Sequence, residues 1–209
     1  MIELDPYLTI VNKNHHFHPS MIESFKMVDV LDEDGKTYME AETYKAFCAL
    51  TEFLEDNYNI TLTLTSAGRT IEHQQKVLKE QIAEYGEEKA LQITALPGQT
   101  EHHLGTAIDA KPFHKKHLKA QGLINNALPS RISNLVLNKD KLYGTMHKHL
   151  EDFGFILRYT PDKEEITGYP AERWHIRYVG KEHAKIMNEG NMCLEEYVKF
   201  LANHSSRGE

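Results

Sequence analysis

Apolar residues recur along this chain in two rhythms, and the rhythm predicts the elements. Tyr44, Phe47, Leu50 and Leu54 are spaced by three and four residues, which predicts a helix over 38–58. Ile60, Leu62 and Leu64 alternate with Thr61, Thr63 and Thr65, the period of a half-buried strand. Ser66-Ala67-Gly68-Arg69-Thr70 closes that strand as a turn. Gln74, Val77, Leu78, Ile82 and Tyr85 mark a second helix, and Ala95-Leu96-Pro97-Gly98 ends a further helical stretch. Residues 142–153 suit a helix closed by Gly154, and 194–201 a C-terminal one. Residues 155–159 and 174–179 read as strands. Shorter β-prone runs occupy 8–11 and 28–30, the latter followed by the turn Asp32-Glu33-Asp34-Gly35. The polar stretch 111–137 reads as an insertion over the core.

Helices mixed with separate strands fit an α+β fold better than alternating βαβ units. No repeat or linker divides the chain, so its 209 residues read as one domain, with an N-terminal segment 1–35 and a core 36–203. The composition, 40% hydrophobic and 26% charged, is that of an ordinary globular protein. A formal charge of −7 argues against nucleic-acid binding but allows a local basic patch around an anionic substrate. Cys48 and Cys193 make neither a metal cluster nor a disulfide framework. Cys48 falls in an apolar helical pattern and reads as a buried, inert thiol. The first residues carry Glu3 and Asp5 and lack a basic start with an apolar run, so they do not read as a secretory signal. No stretch reaches the roughly 18 apolar residues of a membrane span. The expectation is a cytoplasmic protein, unless it is processed or released.

Two segments carry candidate chemistry. Thr100-Glu101-His102-His103-Leu104-Gly105-Thr106-Ala107-Ile108-Asp109 is one, and Glu172-Arg173-Trp174-His175-Ile176-Arg177-Tyr178 is the other. Catalytic zinc takes three protein ligands from His, Asp, Glu and Cys and leaves a position open for water. Gly105 lets the backbone turn tightly between the histidines and Asp109. His175 would complete the set from another strand, with Glu172 three residues before it. Zinc lowers the pKa of bound water to about 7. Glu172 can then take a proton as the water attacks a peptide carbonyl, and return it to the departing amine. Arg69, at a strand end, can stabilise the developing oxyanion. With 13 histidines in the chain, spacing does not choose between His102 and His103. A Trp174-His175 pair on a strand also suits a buried core. The tract of His15, His16 and His18 ends in Pro19 without a neighbouring carboxylate and reads as a loop. No HExxH helix is present.

Taken in order, these fragments resemble the VanY-type D-alanyl-D-alanine carboxypeptidases over most of the chain. Ile10-Val11-Asn12-Lys13-Asn14-His15 is similar to the family's N-terminal Val-Asn-Lys segment. Ser66-Ala67-Gly68-Arg69-Thr70 with Gln74 resembles its Ser-Gly-Tyr-Arg-Ser segment with a downstream Gln. Residues 97–109 resemble Ser-x-His-x-x-Gly-x-Ala-x-Asp. Gly154-Phe155-Ile156-Leu157-Arg158-Tyr159 and Glu165-Ile166-Thr167-Gly168 follow, and 172–180 resembles Glu-x-Trp-His-x-Arg-Tyr-Val-Gly.

The resemblance implies a single domain with a central, mostly antiparallel sheet flanked by helices, a fold shared with the D-Ala-D-Ala dipeptidases and the hedgehog signalling domain. It implies zinc held by His102, Asp109 and His175, with Glu172 as base and Arg69 as the transition-state arginine. His103 becomes a neighbour. Gln74, Thr100 and Trp174 are implied in substrate binding. The implied partner is a peptidoglycan stem peptide or its precursor. Thr100 replaces the family's usual Ser and Gly68 its usual aromatic, so the pocket departs from the pattern where the terminal residue would sit. Arg69, Thr100 and the basic run from Lys111 to Lys119 are candidates for a substrate carboxylate, although such a run also suits a solvated face. The implied reaction is removal of the last D-Ala. Alternatives are a D,D-dipeptidase or an enzyme with both activities, an endopeptidase lysin, and, least of all, a zinc-stabilised binding module.

Overall fold

The structure is a computed structural model, and it describes residues 5–114 and 139–205. β1 (Met27–Asp32) and β2 (Gly35–Glu40) form an antiparallel hairpin through the acidic turn. α1 (Ala41–Tyr58) follows at once, then β3 (Ile60–Ser66), α2 (Ile71–Tyr85) and α3 (Glu87–Ile93). β4 (Ala107–His114) precedes the second described stretch, which contains α4 (Lys139–His147), β5 (Phe155–Tyr159), the short α5 (Glu164–Thr167), β6 (Glu172–Tyr178), α6 (Lys181–Glu189) and α7 (Leu194–Ser205). Four strands make one sheet in the order β3-β4-β6-β5, with every neighbouring pair antiparallel. The expected α+β architecture is therefore observed.

Strand alternation gives the sheet two different faces. Ile108 and Ala110 of β4, Ile176 of β6 and Phe155 of β5 enter one core with Phe47, Leu50 and Leu54 of α1 and Leu142 and Met146 of α4. Asp109, His175 and Arg177 lie between those positions, on the opposite side. Ile156 shares that side and packs with Ala184 and Met187 of α6 and Leu194 and Tyr197 of α7. One face of the sheet thus anchors it to the core, and the other carries chemistry.

Several expectations need correction. Residues 38–40 are the end of β2, not the start of a helix, because Glu40 is the N-cap of α1 and its carboxylate accepts from Glu42 N and Thr43 N. The buried stripe of α1 is Thr43, Phe47, Leu50 and Leu54. Tyr44 and Cys48 lie beside that stripe and are exposed, so Cys48 is not the buried thiol. The β-prone run 8–11 forms no strand: Leu8 ends a short 3-10 turn over Pro6–Leu8, and 9–11 are irregular. The helix over 142–153 is α4, which ends at His147, followed by a separate 3-10 turn at Glu151–Phe153. Residues 111–114 continue β4; the rest of the expected insertion, 115–137, lies outside the described residues. α6, absent from the sequence reading, covers Lys181–Glu189.

Candidate functional site

Two irregularities in the sheet assemble the site. Between β3 and β4 the register runs from Leu64↔Ala110 to Ser66↔Asp109, so β3 advances two residues while β4 advances one. Between β5 and β6 it runs from Leu157↔Ile176 to Tyr159↔Glu172, so β6 spends four residues against two. Such bulges re-aim side chains. The second one brings Glu172 and His175 together, three positions apart on a strand: Glu172 Oε2 is 3.5 Å from His175 Nδ1. Asp109 pairs across β4 and β6 with His175.

His102 arrives from the 3-10 turn Glu101–Leu104, capped by the Thr100 hydroxyl, which accepts from His102 N at 3.3 Å. Gly105 closes that turn at φ 71°, the left-handed region that the tight return to Asp109 requires. His102 Nδ1 donates to the Ala67 carbonyl at 2.6 Å, which leaves Nε2 as the free ligand atom. His102 Nε2 and His175 Nδ1 lie 3.4 and 3.2 Å from Asp109 Oδ1. The candidate ligand atoms of His102, Asp109 and His175 all fall within 4.8 Å of one another. Asp109 Oδ1 is buried and makes no hydrogen bond of acceptable geometry. A buried, unpaired carboxylate oxygen between two ring nitrogens fits a divalent cation, and this donor set suits zinc.

The charges are strongly biased. Burial raises Glu172 to about 7, with His175 and Arg69 opposing and Asp109 reinforcing the rise. Burial pushes His102 down to about 4. Burial alone would also lower His175, but the Asp109 and Glu101 carboxylates hold it up at about 9. Arg69 follows β3 and is fixed on three sides. Its Nε donates to Ser66 Oγ at 2.8 Å, Nη1 to Gln74 Oε1 at 3.2 Å, and Nη2 to Asp109 Oδ2 at 3.1 Å. Gln74, buried on α2, passes the restraint on by donating to the Ala95 carbonyl at 2.8 Å.

His103 is outside the ligand cluster: Nδ1 donates to the Arg69 carbonyl at 2.6 Å and Nε2 accepts from Gly98 N at 3.0 Å. Of the two adjacent histidines, the fold places His102, and not His103, with Asp109 and His175. Trp174 is 38% exposed beside a His175 that is 4% exposed, so the two do not form a buried pair. Lys111 is ion-paired with Glu33 at 3.8 Å. Lys115 to Lys119 lie outside the described residues. His15, His16 and His18 make local loop contacts to Asn12, Lys13 and Ser20.

A buried ionic group behind His175 escaped the sequence reading. His175 Nε2 faces Glu101 Oε2 at 3.6 Å. Glu101 is bracketed by Arg158 Nε at 2.9 Å and Arg177 Nη1 at 3.0 Å, and Arg158 also pairs with Glu195 at 2.6 Å. Burial alone would raise Glu101, but the two guanidinium groups hold it well below the usual carboxylate range. Its signal was present in the sequence, since Glu101, Arg158 and Arg177 all lie inside the quoted motifs.

The family model described as "VanY: D-alanyl-D-alanine carboxypeptidase" matches residues 36–181. The chain is 30% identical over 195 residues to the bifunctional D-Ala-D-Ala dipeptidase and D-Ala-D-Ala carboxypeptidase VanXYC of Enterococcus gallinarum, covering 93% of this chain and 95% of that one. It is 37% identical over 145 residues to a D-alanyl-D-alanine carboxypeptidase of Enterococcus faecalis, spanning 65% of this chain and 46% of that relative. Among solved structures, the vancomycin resistance D,D-pentapeptidase VanY from a VanB-type cassette, in complex with Zn(II), aligns with a TM-score of 0.72 at 27% identity, covering 93% of this chain and 99% of that one. The matched span, 36–181, takes in Arg69, the turn from His102 to Asp109 and the strand of Glu172 and His175, and the chain belongs to the VanY D-alanyl-D-alanine carboxypeptidase family.

Proposed function

We propose that this protein is a zinc-dependent D,D-carboxypeptidase that removes the terminal D-Ala from peptidoglycan stem peptides or their precursors. The observation that carries the reading is Glu172, raised to about 7 and 3.5 Å from a His175 that shares a ligand cluster with His102 and Asp109. When bound there, zinc supplies a Lewis acid that acidifies water and polarises a carbonyl. Glu172 accepts the proton of the attacking water and delivers it to the departing amine. Arg69 brings a fixed positive charge to the edge of the cluster, where an oxyanion or a substrate carboxylate would gain from it. The Thr100 hydroxyl already accepts from His102 N, which leaves its proton free to donate to substrate. Gln74 supports Arg69 from behind. Trp174 offers an exposed apolar surface near the base on the same strand.

A second reading, dual action on the free D-Ala-D-Ala dipeptide and on longer stem peptides, is favoured by the nearly full-length similarity to a bifunctional relative. Incubation of the zinc-loaded protein with a stem pentapeptide, a stem tetrapeptide and free D-Ala-D-Ala, followed by mass spectrometry, separates the two. Release of one D-Ala from the pentapeptide alone supports the carboxypeptidase, and cleavage of the dipeptide as well supports dual action. Cuts confined to the interior of the stem would sink both.

A further inference from the structure

Tyr38 lies outside the ligand cluster, yet it touches both backbone segments that deliver the site. Its hydroxyl donates to the Arg69 carbonyl at 2.9 Å and lies 3.2 Å from the His103 carbonyl. Its own carbonyl accepts from Gly68 N at 2.8 Å, and the neighbouring Thr37 hydroxyl donates to the Gly68 carbonyl. Arg69 N in turn donates to the His102 carbonyl at 3.1 Å. The Tyr38 ring has glycine on two sides. A Cβ at Gly68 would come within 2.6 Å of the Tyr38 carbonyl oxygen, and a Cβ at Gly105 within 3.3 Å of the ring. The space left beside Arg69 by the lack of a side chain at 68 is therefore filled from β2.

We propose that Tyr38 is a positioning residue for the hydrolysis: wedged between Gly68 and Gly105, with its hydroxyl on the carbonyls of Arg69 and His103, it sets the spacing between the arginine turn and the metal-ligand turn. The hairpin β1–β2 becomes the brace of the site. Misplacement of a reacting group by about 1 Å costs on the order of a hundredfold in rate, so a brace at this point has kinetic leverage. The inference rests on Arg69 serving the reaction proposed above.

Tyr38→Phe keeps the ring and deletes the two hydroxyl contacts. The expected result is a kcat at least about tenfold lower, with KM, zinc stoichiometry and Tm close to wild type. A merely structural role would move Tm and leave kcat. Gly68→Ala drives a Cβ against the Tyr38 carbonyl and should lower kcat through the same displacement, so the double variant should be little worse than the weaker single one. A Tyr38→Phe protein with wild-type kcat would overturn the proposal, whether or not Gly68→Ala folds. The Arg69 Nε–H resonance in nitrogen-15 NMR gives a readout independent of substrate: it should shift or broaden in Tyr38→Phe, and an unchanged resonance would also overturn the proposal. A wild-type protein inactive on every D-Ala-D-Ala substrate would instead sink the functional reading, and the resonance would still decide the positioning.

Discussion

Arg69 and Asp109 are joined by an ion pair of 3.1 Å that gives the two carboxylate oxygens different neighbours. Oδ2 faces the guanidinium, and Oδ1 is left between the two histidine rings. Arg69 therefore orients a candidate ligand as well as placing a positive charge at the site. A lysine has one charge but cannot reproduce the fork that binds Ser66, Gln74 and Asp109 together. Arg69→Lys should lower kcat by about a hundredfold or more, the usual scale for losing a transition-state donor, and weaken zinc binding only modestly. Steady-state kinetics alongside chelator competition would measure both. Wild-type kcat in this variant would remove Arg69 from the chemistry.

Glu172 touches the cluster without being needed to complete it. Glu172→Gln keeps the shape and removes the proton acceptor. Turnover should fall to near background, while zinc content measured by atomic absorption stays at one ion per chain. Retained turnover would assign the base elsewhere, and lost zinc would make Glu172 a ligand.

The parts of this site visible in the sequence are those with short-range spacing. The turn from His102 through Gly105 to Asp109 is local, and Gly105 does adopt the left-handed conformation that its position suggests. The Ile60–Ser66 strand was legible because its alternation is strict. Elements governed by tertiary packing were not. Tyr38 and Met39 look like the first turn of an apolar helix, but the hairpin claims them, and Glu40 starts the helix with a side-chain cap. The meeting of Glu172 with His175 depends on a bulge against β5, which no spacing rule on β6 alone reveals. Glu101 has no partner near it in the sequence: Arg158 and Arg177 are distant along the chain, and only the fold brings them together. The resemblance named the ligands; the geometry added the groups that hold them.

Glu101 is the test of that added layer. Its carboxylate faces the ring nitrogen of His175 that points away from the cluster, the arrangement by which a carboxylate orients a metal-bound imidazole. Glu101→Gln should weaken zinc binding by roughly ten- to a hundredfold. It also leaves Arg158 and Arg177 buried with less counter-charge, and breaking a buried ion pair costs about 3–5 kcal/mol. Chemical denaturation of the metal-free protein should show that loss, and chelator competition the weaker binding. Unaltered affinity in a folded variant would reduce Glu101 to a purely structural anion.

Uptake of zinc should be coupled to proton release, with a sign set by His175. In the metal-free protein this ring is held at about 9, above an unfolded value of about 6.5, so it is charged at pH 7. A cationic imidazole has no lone pair to offer at Nδ1, and binding must expel its proton. His102, pushed down to about 4, is already neutral and releases none. Zinc affinity should therefore rise with pH, by about tenfold per unit for one proton, and level off above about 9. The same shift acts on folding with the opposite slope. The contribution of His175 to metal-free stability is complete below its unfolded pKa and is lost as pH rises through 9, so the metal-free Tm should decline over that window. Calorimetric titration with zinc at pH 7 in two buffers of different ionisation enthalpy counts the protons directly. A count near zero would mean that His175 is neutral before the metal arrives, and that the carboxylates around it do not hold the charge assigned to them.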